Sequence, residues 1–181
     1  IELGPILEAE NKTIGVVIGG QGMRWDDATI TGRESHAGST PTERRKDALL
    51  AFAHVVTSLR AIAQEHGPYG VITVGHVDVR PNSRNVIPGE VAFTVDIRHP
   101  EAAHLDAMCA AFRKAVAGAC SIEKLDHAID EIWHFPPVAF DADRVAAVRR
   151  AAEAAGLAHR DMVSGAGHDA CYVARVAPTA M

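Results

Sequence analysis

A chain of 181 residues with a formal net charge of −5 carries no basic face, which argues against nucleic acid or an anionic membrane surface as a partner. Hydrophobic residues make up 48% of it and aromatics only 5%, enough aliphatic material for one ordinary domain, or a small domain and part of a second. Its cysteines, Cys109, Cys120 and Cys171, are odd in number and far apart, so no zinc knuckle or redox motif is spelled out and a reducing compartment is expected. No apolar run approaches the roughly 20 residues of a membrane span. With no signal-peptide pattern either, the cytoplasm is the expected location, and the partner is a small molecule or a second copy of the chain.

From Met23 to Gly32 the chain has strand character, with Trp25, Thr29 and Thr31 on one face and Ala28 and Ile30 on the other. Thr40, Pro41 and Glu43 then predict a helix start, as N-cap, first helical residue and capping-box partner. Leu49, Phe52, Val56, Leu59 and Ile62 give that helix its apolar line, and Gly67 its left-handed terminator. Residues 70–79 and 90–98 read as strands; in the second, Val91, Phe93, Val95 and Ile97 alternate with Ala92, Thr94, Asp96 and Arg98. Pro100 opens a second helix along Leu105, Met108, Cys109, Phe112 and Val116, closed by Gly118. Residues 122–133 form a fourth strand through Leu125, Ile129 and Trp133.

The order β-α-β-β-α-β predicts an α+β, ferredoxin-like fold: a four-stranded antiparallel sheet with both helices on one face. The flanks fall outside this plan. Residues 1–20, the helix-forming stretch from Asp141 to Gly156, the glycine loop after it and the apolar run Val176 to Met181, which reads as a buried strand beginning, look like parts of a separate α/β domain. The expected division is residues 1–21 and 136–181 in that domain, with 22–135 inserted. Because the sequence begins at Ile1 without an initiator methionine and stops inside an apolar run, it is expected to be an internal piece of a longer protein.

Three polar islands interrupt these elements: Gly32 to Pro41 around His36, Arg80 to Gly89 around Asn85, and Ser164 to Ala170 around His168. Taken singly each has a bland reading. His36 can bond nearby backbone, Asn85 can stabilise its own turn, and Arg98 can pair with Asp96 or Glu101. Arg98 can also bind a carboxylate, since its planar fork matches two oxygens. The glycines at 165 and 167 can allow close packing or expose amides to an anion. Most of the ten histidines sit within helices or strands, and no pair has the helical spacing of two metal ligands. Topology adds a constraint. His36 and Asn85 follow parallel strands and share one end of the sheet, whereas Arg98 finishes the returning strand, about 30 Å away for a strand of about nine residues. If these side chains serve one site, two subunits build it.

Together the islands resemble the hydantoinase/carbamoylase amidases, namely N-carbamoyl-L-amino-acid hydrolases, allantoate amidohydrolases and β-ureidopropionases, within the wider group of two-metal aminoacylases and carboxypeptidases. The segments that carry the resemblance run in order from Ile1 to Glu8, Gln21 to Trp25, Ser35 to Gly38, Pro81 to Gly89, Asp96 to His99 and Ser164 to Ala170. The resemblance implies a homodimeric hydrolase of linear amides, most simply an N-carbamoyl-L-amino-acid amidohydrolase, acting on a small carboxylate substrate. It implies two divalent ions, zinc or manganese, with a metal-held water as nucleophile and a glutamate as base. On it, His36 stabilises the oxyanion, Asn85 and Arg98 hold the substrate carboxylate, and Gln21 and His168 are further substrate contacts. Residues 22–135 become a lid and dimerisation domain, and the flanks parts of a catalytic domain. The family's histidine ligand would directly precede Ile1 and the other ligands lie further out, so no metal ligand and no activity are expected of these residues alone. Outside this reading stand an aminoacylase or peptidase of the same group, and a non-catalytic ferredoxin-like module that dimerises or binds an effector.

Overall fold

A computed structural model describes residues 4–181; Ile1, Glu2 and Leu3 of the first resembling segment lie outside the described residues. In chain order the elements are α1 (Gly4–Ala9), β1 (Ile14–Gly20), β2 (Gly22–Thr31), β3 (Ser35–His36), a 3-10 turn (Thr42–Arg44), α2 (Ala48–Glu65), β4 (Val71–Arg80) and β5 (Val86–Ile87). There follow β6 (Glu90–His99), α3 (Ala102–Glu123), β7 (Asp126–Phe135), β8 (Val138–Ala139), α4 (Ala142–Ala154), β9 (His159–Ser164) and α5 (Asp169–Val173). They cluster into two compact units, residues 4–22 with 99–102 and 135–181, and residues 23–98 with 103–134.

The second unit is the β-α-β-β-α-β module, its sheet ordered β4-β6-β2-β7 as in a ferredoxin-like fold. Strand alternation decides which face is covered. Val91, Phe93, Val95 and Ile97 of β6 and Ala28 and Ile30 of β2 are buried, and they share a core with Val55 and Leu59 of α2 and Leu105, Met108, Phe112 and Val116 of α3. Full burial of a side chain such as Phe112 contributes about 2–3 kcal/mol. The register of β4 on β6 runs from Val71 opposite Arg98 to Arg80 opposite Glu90.

Several local expectations are corrected. Thr40, Pro41 and Glu43 do not begin α2. They lead into one 3-10 turn, after which Arg45 is extended at φ −74° and ψ 144°. Tertiary bonds hold it there: Arg33 N–H donates to Lys46 O at 2.9 Å, and the Arg45 guanidinium donates to Thr40 O and Ala37 O. The helix starts after Asp47, whose carboxylate accepts from the amides of Leu49 and Leu50, a normal N-cap. Its buried line is Ala48, Ala51, Val55, Leu59 and Ile62, so Leu49 and Val56 are exposed. Gly67 is outside the left-handed region; α2 ends on 3-10-type bonds from His66 N to Ala63 O and Gly67 N to Gln64 O.

Gly118 does not stop α3 either. The helix continues because Ala119 and Cys120 beyond it are buried, which outweighs the cost of about 1 kcal/mol for an internal glycine. It ends in a Schellman motif, with Lys124 at φ 55° and bonds from Leu125 N to Cys120 O and Lys124 N to Ser121 O. The fourth strand of the module therefore begins at Asp126, not 122.

In the first unit β1 pairs in parallel with β9, from Ile14 opposite His159 to Gly20 opposite Ser164, and antiparallel with β8. His159 thus opens β9. Asp141 caps α4 by accepting from Arg144 N at 3.0 Å, and Gly156 at φ 66° closes it with the Leu157 N to Ala152 O bond. The stretch from Val176 to Met181 is not a buried strand. Bonds from Val176 N and Ala177 N to Val173 O prolong the preceding turn and leave Val176 86% exposed.

Candidate functional site

Glycine contacts bring the first two polar islands together. Gly32 N–H donates to Gly89 O at 2.7 Å. A Cβ on Gly89 would stand 2.8 Å from Glu34 N, and one on Gly32 2.2 Å from Lys46 O, approaches that only glycine allows. The clamped loops form the ribbon of β3 and β5, with His36 opposite Val86, and Ala37 N–H donates to Asn85 O at 2.9 Å. His36 and Asn85 are therefore neighbours, both exposed.

Their hydrogen bonds give each side chain a direction. His36 Nδ1 accepts from the amides of Gly38 and Ser39, both at 3.1 Å, which assigns the ring proton to Nε2 and makes that nitrogen a donor. Ser83 Oγ donates to Asn85 Oδ1 at 3.2 Å. The acceptor side of this carboxamide is thus committed to its own loop, and its N–H side is the part suited to an anion. Two donors, one imidazole and one amide, characterise this end of the unit.

Arg98 lies at the other end. It stands eight positions along β6 from Glu90, about 26 Å at 3.3 Å per residue. Its Nε and Nη2 donate to the two oxygens of Asp96 at 2.8 and 2.6 Å, and Trp25 Nε1 donates to Asp96 Oδ2 at 3.0 Å. These bonds to Asp96 raise the guanidinium above the ordinary arginine value, against the opposing effect of burial.

Sequence reasoning passed over a buried charge beneath the sheet. Asp26 is wholly buried and bonded to Arg113 Nη2 of α3 at 2.7 Å. Burial pushes its carboxyl above the usual range, and the Arg113 charge only partly offsets this. The signal was present: Asp26 shares the inward parity of Ala28 and Ile30. Burial also pushes the Cys109 thiol up to about 11, so it carries no thiolate chemistry at neutral pH.

Gln21 and His168 belong to the first unit, at the carboxyl ends of its parallel strands, where open α/β sheets bind ligands. Gln21 N–H donates to Ser164 O at 3.0 Å, and Gln21 Oε1 is buried with no hydrogen-bond partner among the described residues. His168 caps α5, its Nδ1 accepting from Ala170 N at 3.1 Å, so its proton too resides on Nε2. The amide of Ala166 is held by Ser164 Oγ. Among the described residues no group of three or more His, Cys, Asp and Glu side chains is placed to hold a metal ion, and no helix is long and apolar enough to cross a membrane.

Comparison with known proteins adds three findings. The family model described as a peptidase dimerisation domain matches residues 18–123. Over its whole length the chain is 50% identical to an N-carbamoyl-L-amino-acid amidohydrolase of Rhizobium meliloti and 37% identical to an allantoate amidohydrolase of Escherichia coli, covering 44% of each. An amidase of the hydantoinase/carbamoylase family from Burkholderia multivorans superposes with a TM-score of 0.96 at 57% identity, with all of this chain and 44% of that one covered. The chain thus spans less than half the length of these relatives.

Proposed function

This chain belongs to the peptidase dimerisation domain family, and on that premise we propose that residues 22–135 are the lid, and the flanking residues part of the catalytic domain, of a cytoplasmic metal-dependent amidohydrolase that cleaves a ureido C–N bond of N-carbamoyl-L-amino acids. The observation that carries the reading is His36 with Nδ1 occupied and Nε2 left as donor, beside the donor end of Asn85, in a chain half identical to a carbamoylase. In it His36 Nε2–H meets the oxyanion of the tetrahedral intermediate, Asn85 and Arg98 hold the substrate carboxylate, and Gln21 and His168 are further substrate contacts. The described residues do not fit a metal centre by themselves; the two divalent ions of the reading, zinc or manganese, belong to other parts of the intact enzyme. The test is ammonia release by the intact protein, loaded with defined metals, from N-carbamoyl-L-amino acids and from allantoate. Turnover of N-acyl amino acids alone would transfer it to the aminoacylases, and no turnover of any of these substrates would remove the reading.

The reading includes a homodimer formed through the second unit. β4 is an edge strand and exposes Val71 and Val77, beside exposed Leu49, Leu50 and Val56 of α2. A groove of ≈ 500 Å³ runs between the two elements. Exposed edges of this kind pair with another chain, and a two-fold axis would pair β4 with the partner's β4 antiparallel. That operation brings the Val71 end of one protomer to the Arg80 end of its partner. Arg98, opposite Val71, then meets the partner's His36 and Asn85, which removes the separation of about 26 Å within one copy. Introducing Val56→Lys and Val71→Lys together next to Arg60 is expected to yield monomers in sedimentation at micromolar protein where the unaltered protein is dimeric. A dimer of unchanged affinity would place the interface elsewhere.

A further inference from the structure

A cavity of ≈ 310 Å³ crosses all four strands of the β4-β6-β2-β7 sheet, and its lining includes Trp25 and Asp27 of β2, Gly75 of β4, Thr94 and Asp96 of β6 and Ile132 of β7. Trp25 and Asp27 alternate with buried Asp26 and Ala28, and Thr94 and Asp96 with buried Phe93, Val95 and Ile97. Those buried apolar residues pack against α2 and α3, so the four cavity residues stand on the face that the helices leave uncovered. The indole of Trp25 is fixed from two sides. Its Nε1 donates to Asp96 Oδ2 at 3.0 Å, and its ring meets that of Trp133 at a centroid distance of 5.0 Å. It remains 44% exposed and offers an ordered aromatic surface to the cavity.

The charges differ in how they are met. Asp96 is bonded to Arg98, which compensates it. Asp27 is exposed, and among the described residues its carboxylate has no hydrogen-bond or ion-pair partner. A carboxylate beside an ordered indole favours a positive guest, because the ring face attracts cations and the carboxylate accepts charge-assisted bonds from N–H donors. We propose that this cavity binds a small organic cation, an alkylammonium or alkylguanidinium whose charged head lies between Asp27 and the Trp25 ring and whose short chain lies along exposed Ile132. The site lies within the second unit and does not depend on the roles assigned to His36, Asn85 or Arg98. Gly75 gives it a steric test. It stands at the register shift between Val74 and His76, and a Cβ there would meet no atom nearer than Thr94 Oγ1, at 3.6 Å. A larger side chain at 75 therefore fits the strand while filling the cavity.

The experiment is isothermal titration calorimetry of the intact protein with n-butylammonium and n-butylguanidinium, and with 1-butanol and butyrate as neutral and anionic counterparts. The two cations are expected to bind with a Kd of about 1 mM, and the two counterparts at least about fivefold more weakly. Asp27→Asn should weaken cation binding about fivefold and Trp25→Leu about threefold, while Gly75→Leu, which leaves both residues in place, should abolish it. Absence of cation binding at 10 mM ligand, on the order of ten times that Kd, overturns the proposal. So does butanol or butyrate binding as tightly as the cations, which would remove the recognition of charge. Cation binding that Asp27→Asn and Gly75→Leu both leave unchanged would place it outside this cavity and overturn the proposal as well.

Discussion

Replacing His36 with alanine in the intact enzyme is expected to lower kcat by about 10²–10³-fold, the usual effect of deleting one oxyanion donor. Two amides already occupy Nδ1, so Nε2–H is the group the substitution removes. In the proposed role that donor meets charge that develops only in the transition state, so KM should change far less than kcat. Substrate binding should be the more sensitive quantity for Arg98→Ala. The same two variants test the shared site. When His36→Ala and Arg98→Ala chains are unfolded and reassembled in equal amounts, about half of the dimers are mixed. Each mixed dimer would carry one site with both residues intact and one with neither, so about a quarter of full activity should return. Activity no higher than the mean of the two separate variants would show that each protomer builds its own site. The decisive quantity is the strand length that holds Arg98 about 26 Å from the Glu90 end of β6.

The largest expected loss of stability follows from Arg113→Ala. Breaking a fully enclosed ion pair costs roughly 3–5 kcal/mol, since the remaining charge is stranded in low dielectric. Asp26 is fully enclosed, but the Arg113 side chain is 39% exposed, and solvent screening brings the expectation to about 2 kcal/mol at pH 7. The sign of the pH dependence is fixed by the direction of the Asp26 shift. Its folded-state carboxyl titrates above the ordinary aspartate value of 3.8, so between that value and the raised one the folded state holds more protons than the unfolded state. Stability from this group therefore falls as pH rises through that window and is flat above it. Removing Arg113 takes away the main influence that lowers the Asp26 value while burial remains, so the decline should extend to higher pH. Urea unfolding at pH 4 and pH 7 checks this: the gap between Arg113→Ala and the unaltered protein should widen with pH. Adding Asp26→Asn to Arg113→Ala should recover part of the loss at pH 7, because the stranded charge is then gone. A gap independent of pH would mean that Arg113 stabilises by packing alone.

The features that build the fold and the candidate site differ in how local they are. The alternation of Val91, Phe93, Val95 and Ile97 marked β6 and its buried face correctly, since a strand's period of two depends only on neighbouring residues. The line from Leu105 to Val116 likewise marked the buried side of α3, and the order of elements was enough for the ferredoxin-like plan. Helix ends were legible only where local chemistry decided them, as with Asp141 and Gly156 around α4. Thr40 to Glu43 carried a good capping pattern, yet long-range bonds of Arg45 and Lys46 held the backbone extended and moved the start of α2 to Asp47. At Gly118 buried residues further along the helix overrode a local breaker.

The polar islands around His36 and Asn85, and Arg98 at the end of its strand, could be picked out one by one from composition and spacing. Their orientations could not. The tautomer of His36 depends on which amides of its own loop fold back onto Nδ1, the direction of Arg98 on Asp96 and a tryptophan seventy-one residues away in sequence from it, and the state of Asp26 on an arginine from another helix. What the sequence by itself determined is the set of elements, their order and the side chains able to do chemistry, because hydrophobic period and residue type act locally. Only the tertiary structure decided where those side chains point and which charges are enclosed, because hydrogen-bond partners and burial come from segments that meet in space and not along the chain.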